Sequence, residues 1–79
     1  MRIIKEINKN NCRITIFNWN GKYLIKLEQD NLEQTFKVDE LDIYGPQQLE
    51  DLLTEKFIES ALERFKAMQE DLMHALQEI

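Results

Sequence analysis

The C-terminal part of the sequence carries an apolar pattern of helical period from Pro46 to Ile79. Two sets of apolar residues recur every seven residues, the second set three places after the first: Ile58, Phe65, Leu72 and Ile79, then Ala61, Met68 and Ala75. This spacing predicts one amphipathic helix over about residues 46–78. Pro46 suits the first helical position, where its missing amide hydrogen costs nothing. The alternative is a break near Lys56, but no glycine or proline lies there.

A helix of this length is too long for the strands that precede it. It would span roughly 50 Å, whereas strands of about seven residues reach about 23 Å. The C-terminal half of the helix should therefore extend past the sheet while its apolar stripe continues. The stripe predicts a homodimer in which the helix is packed or swapped between chains, with contacts at Ile58, Phe65, Met68, Leu72 and Leu76.

The N-terminal half consists of four short runs with the period-two alternation of β-strands. These runs predict strands at about 2–7, 12–19, 22–29 and 32–38. Asn20-Gly21 separates the second and third strands, and this dipeptide favours a type I′ hairpin, whose two central residues need positive φ. A second two-residue turn is predicted at Asp30-Asn31. Residues 1–79 are thus expected to form one α+β domain, a four-stranded antiparallel meander followed by one long helix.

Two-residue loops fix the strand register, so the two faces of the sheet can be assigned. One face is expected to be the core: Ile14, Ile16, Tyr23, Ile25 and Leu27, extended by Phe36 and Val38. The other, which we call the outer face, alternates aromatic and apolar residues with cations: Arg13, Phe17, Trp19, Lys22, Leu24, Lys26 and Lys37. The same register places Glu28 opposite Glu33, a like-charge pair.

Two hypotheses follow for the outer face. Aromatic side chains interleaved with cations are typical of surfaces that bind single-stranded DNA or RNA, because bases stack on the rings and cations contact phosphates. The residues for this site are Arg13, Phe17, Trp19, Lys22, Lys26 and Lys37. The alternative is a protein-interaction or assembly module that binds no nucleic acid and uses Phe17, Trp19 and Leu24 as its contact.

Charge is distributed unevenly along the chain, whose formal net charge is −5. Residues 1–38 carry seven bases against four acids, and residues 39–79 carry three bases against eleven acids. A basic sheet on an acidic protein can still attract a polyanion locally. An acidic helix is equally typical of a solvated surface.

No motif for catalysis, a metal or a cofactor is present, which indicates a non-enzymatic protein without a small-molecule substrate. His74 is the single histidine, and Cys12 is the single cysteine. The acidic group at 39–42 lacks the spacing of a calcium-binding loop and is better explained by helix capping. Neither a signal peptide nor a membrane-spanning stretch is visible, so we expect a cytoplasmic protein that does not contact a membrane.

The order of elements, four antiparallel strands followed by one long C-terminal helix, resembles the single-stranded nucleic-acid-binding regulators of the positive-cofactor-four-like, Whirly and Pur-alpha group. It is also similar to small bacterial proteins of this length. The resemblance covers the whole chain and implies dimerisation through helices and nucleic-acid binding on a sheet surface rich in aromatic and basic residues. The acidic helix departs from the basic character expected of that group.

Overall fold

The computed structural model describes residues 1–79 and contains four strands, one 3-10 turn and two helices. These are β1 Arg2–Lys9, β2 Cys12–Trp19, β3 Lys22–Gln29, β4 Leu32–Asp39, the turn Glu40–Asp42, α1 Pro46–Leu52 and α2 Glu55–Gln77. The sheet order is β1-β2-β3-β4, and every pair of neighbours is antiparallel. The predicted fold class, a four-stranded antiparallel sheet followed by a long C-terminal helix, is confirmed.

Two-residue turns join all four strands. Asn20 and Gly21 both have positive φ, 51° and 73°, as a type I′ turn requires. Trp19 lies opposite Lys22, and beyond the turn at Asp30 the strands again pair in the predicted register, including Glu28 opposite Glu33. The turn residues therefore determine which side chains share a face.

The helix that we predicted over 46–78 is divided between Leu53 and Thr54. Leu53 ends α1, and Thr54 is extended (φ −74°, ψ 166°) and caps α2, its hydroxyl accepting a hydrogen bond from the Phe57 amide at 3.1 Å. Threonine before a helical run is a start signal in its own right. The break therefore needs neither glycine nor proline, and the prediction of a single helix from Pro46 was wrong.

Removing this cap should have a measurable cost. We expect Thr54→Ala to lower the free energy of unfolding by about 1 kcal/mol, because the Phe57 amide loses its acceptor. Urea denaturation measures the difference. Thr54→Ser keeps the hydroxyl and is the matched control, so equal losses in the two variants would contradict the capping role.

Both helices pack on one face of the sheet. The buried core contains Cys12, Ile14, Ile16, Ile25, Leu27, Leu49, Ile58, Ala61 and Phe65, with Tyr23, Phe36 and Val38 half-buried against it. Polar contacts also fix α2 over β4: the side-chain amide of Gln34 donates to the Ala61 carbonyl at 2.9 Å and accepts from Arg64 Nε at 2.8 Å. The centroids of the Phe36 and Phe57 rings lie 5.2 Å apart.

The predicted dimer stripe is divided in the structure. Ile58 and Phe65 are buried against the chain's own sheet and offer no exposed surface to a second chain. Met68 is half-buried against that core, whereas Leu72 and Leu76 are exposed. All residues from Gln69 to Ile79 are exposed. Only this C-terminal part of the stripe is left without a partner inside the chain.

Candidate interaction surface on the outer sheet face

The outer face lies opposite the helices, and no element of the chain covers it. The register places Phe17 between Ile3 on β1 and Leu24 on β3, and Trp19 lies on the same face beside Lys22. Ile3 is 57% exposed and Trp19 46%, whereas Phe17 is half-buried and Leu24 is buried. We call these four residues the apolar patch.

Sequence reasoning found three of the four patch residues and missed Ile3. The pairing of β1 with β2 shifts between Ile3 and Lys5, so that one extra residue interrupts the alternation of β1. This bulge assigns Ile3 to the outer face, opposite Phe17. Unbroken alternation along β1 would place Ile3 on the core face, so the sequence pattern did not assign it to the outer face.

The interior of the outer face is well packed although it has no covering layer. Thr15 is buried, and its cross-strand neighbours are Glu6 on β1 and Lys26 on β3. Side chains from neighbouring strands therefore cover the centre of the sheet, as cross-strand pairs do. This packing holds the aromatic residues of the patch on a rigid surface.

Most of the predicted cations on this face are paired with carboxylates. Arg13 bonds Glu6, and this hydrogen bond raises the pKa of the Arg13 guanidinium. The other two pairs are Lys22 Nζ with Asp39 at 3.9 Å and Lys26 Nζ with Glu33 at 3.1 Å. Lys37, which lies opposite Leu24, has no carboxylate within ion-pair distance. Glu28 adds a further negative charge opposite Arg13.

The outer face therefore carries as many carboxylates as cations. Binding to a nucleic-acid backbone depends on cations that replace the counterions of the phosphates. On this face three of the four predicted cations would have to leave a carboxylate or share it with the phosphate. The structure brings the aromatic and basic residues together, but the surface they form has mixed charge.

Other chemically active groups are not gathered into a site. Cys12 is buried, and desolvation raises the pKa of its thiol, which disfavours the reactive thiolate. His74 is exposed near the end of α2. The Asp39 carboxylate accepts from the Leu41 amide at 3.0 Å, so it caps the 3-10 turn. No three His, Cys, Asp or Glu side chains are grouped to hold a metal ion.

Neither helix combines the length and the apolar character needed to cross a membrane. The chain matches no protein-family model, and comparison with curated proteins and with solved structures finds no significant match. No relative of known function therefore bears on the role of this surface.

Proposed function

We propose that the protein is a non-enzymatic interaction module that binds another protein through the apolar patch. The observation that carries the proposal is the exposure of Ile3 and Trp19 beside Phe17 on a face that the chain leaves uncovered. Apolar residues at the centre of a patch, surrounded by paired charges, match the composition of protein interfaces. Aromatic residues at such a centre supply much of the binding energy.

Charge indicates what the partner should offer. The ion pairs of Arg13, Lys22 and Lys26 neutralise the rim of the patch, so the partner needs little net charge there. Lys37 is the exception, because it lies across from Leu24 without a carboxylate. We therefore expect a partner protein with an apolar centre and an acidic side chain that meets Lys37.

The first test compares this proposal with single-stranded nucleic acid. Short single-stranded DNA and RNA are titrated at low and high salt while the fluorescence of Trp19, the single tryptophan, is followed. We expect no saturable change. Quenching that weakens steeply with salt would overturn the proposal and favour a nucleic-acid site that includes Arg13, Lys22, Lys26 and Lys37.

The second test compares partner capture by variants of the protein. In nuclease-treated extract, we expect Trp19→Ala to weaken capture of the partner at least about tenfold, as loss of a central aromatic contact does. Ile3→Ala should weaken it as well, whereas Leu41→Ala, at an exposed apolar residue outside the patch, is the matched control and should leave it unchanged. Equal capture by the wild-type and patch variants would contradict a protein contact at the patch.

A further inference from the structure

The open edge of β4 is a second surface, which shares only Lys37 with the surroundings of the apolar patch. β4 is the last strand of the sheet and pairs continuously with β3 from Leu32 to Asp39 without a bulge or a proline. The opposite edge, β1, is interrupted by its bulge. A long, regular edge strand offers its free amides and carbonyls to any strand that can pair with it.

The backbone of β4 shows which residues face this edge. Leu32 and Gln29 flank a two-residue turn, so their backbone amides and carbonyls bond each other. The amide and carbonyl of every second residue after Leu32 also point towards β3. The Glu40 amide lies an even number of residues after Leu32 and points the same way, since it donates to the Gly21 carbonyl at 3.1 Å. Glu33, Thr35 and Lys37 therefore direct their amides and carbonyls outward.

We propose that β4 pairs antiparallel with β4 of a second copy of this chain, about a two-fold axis at Thr35. In this register Glu33 lies opposite Lys37 of the partner subunit, and the symmetric pair repeats on the other side of the axis. Opposite charges placed directly across a strand pair stabilise it. Leu32 then lies opposite Val38 of the partner subunit on the helix-covered face.

Other symmetric registers lack this charge complementarity or align little of β4. An axis at Val38 places Lys37 opposite Asp39 of the partner subunit, but only residues 37–39 of β4 then face each other. An axis at Glu33 or at Lys37 places that residue opposite its own copy, a like-charge contact. An axis at Phe36 places Glu33 opposite Asp39 of the partner subunit, and an axis at Gln34 gives no charged pair. Only the axis at Thr35 provides two opposite-charge pairs and aligns almost the whole of β4.

The same pairing accounts for exposed apolar residues at the two ends of the molecule. Near the Asp39 end of β4 the structure exposes Leu41, Tyr44 and Leu52, and on the C-terminal part of α2 it exposes Leu72, Met73 and Leu76. That part of α2 leaves the sheet at the other end, where Gln69 lines a depression with Asp30 and Leu32. Antiparallel pairing brings the Asp39 end of each subunit to the Asp30 end of its partner, so the two apolar groups come to the same end of the joined sheet.

Proline substitution at the two open edges tests the strand pairing. Thr35→Pro removes an outward amide that the fold of one chain does not use, and Asn8→Pro does the same on β1. We expect wild type and Asn8→Pro to dimerise in sedimentation equilibrium, and Thr35→Pro to raise the dissociation constant roughly tenfold or more. A wild-type protein that stays monomeric throughout the micromolar range, or a Thr35→Pro dimer as tight as wild type, would overturn the proposal.

Charge reversal tests the register. Lys37→Glu breaks no ion pair within the chain and should weaken the dimer roughly tenfold, because two opposite-charge pairs become like-charge pairs. Combining it with Glu33→Lys should restore the affinity. Glu33→Lys also removes the Lys26–Glu33 ion pair within the chain, so the single Glu33→Lys variant is the control for that loss. If the double variant stays as weak as Lys37→Glu, or if the dimer depends on Leu72 and Leu76 but not on β4, the proposed pairing is wrong.

Discussion

Phe65→Ala is expected to destabilise the protein by about 3–5 kcal/mol, because it leaves a large cavity between α2 and the sheet. Phe65 is 1% exposed and is among the largest side chains of the core. A domain of this length has a total stability of about 4–12 kcal/mol, so the variant should lose a large share of its free energy of unfolding. Circular dichroism during urea denaturation measures the loss.

Leu72→Ala is the matched control for this variant. Leu72 occupies the same position of the seven-residue pattern on α2 but is 38% exposed. At a protein concentration low enough to keep the chain monomeric, we expect its substitution to change stability by no more than about 0.5 kcal/mol. Losses of similar size in both variants would mean that the C-terminal part of α2 packs within the same chain.

Leu49→Ala should be the second most damaging change, with an expected loss of about 2–4 kcal/mol. Leu49 is the only buried residue of α1 and is 0% exposed. The Lys5–Glu50 ion pair, at 2.6 Å, also joins α1 to β1, but both side chains are partly exposed, and such pairs contribute little. We therefore expect the variant to lose the order of α1 before the sheet unfolds.

Hydrogen exchange of the α1 amides, together with urea denaturation, measures this effect. Leu52→Ala is the control on the same helix, since Leu52 is 45% exposed, and we expect its exchange and stability to stay close to wild type. If Leu49→Ala left α1 protected, the helix would have to be held by contacts other than the one buried side chain.

Much of the sheet could be predicted because turns impose local rules on it. Asn20-Gly21 requires a two-residue turn, and this turn fixes every pairing of β2 with β3. The break in the helix was missed because it was sought at glycine or proline, whereas Thr54 divides the helices by capping the second. A capping side chain competes with continuation of the helix, and the apolar periodicity of the sequence does not reveal that competition.

Periodicity also cannot tell what an apolar stripe packs against. Phe65 and Leu72 have the same spacing in the sequence, yet the first contacts the chain's own sheet and the second lies beyond it. The difference depends on where the sheet ends relative to the helix, which is a property of the tertiary structure.

The residues of the outer face could be predicted wherever the strand register could be predicted. Phe17, Trp19 and Leu24 share a face because the hairpin turn fixes them, whereas Ile3 depends on a bulge. The ion pair of Lys22 with Asp39 follows from direct cross-strand placement once β4 is positioned. The near-zero net charge of the face therefore depends on which strands pair, and the composition of the sequence does not show it.

The strictly sequential order of the sheet has a consequence for folding kinetics. Each strand pairs only with its neighbours along the chain, so the sheet can form by closing short loops, which costs little entropy and favours a fast folding rate. During synthesis the three hairpins can assemble before α2 has left the ribosome. Until then the sheet face that will pack against Phe65 stays open to solvent, and a nascent chain is most exposed to aggregation in that interval.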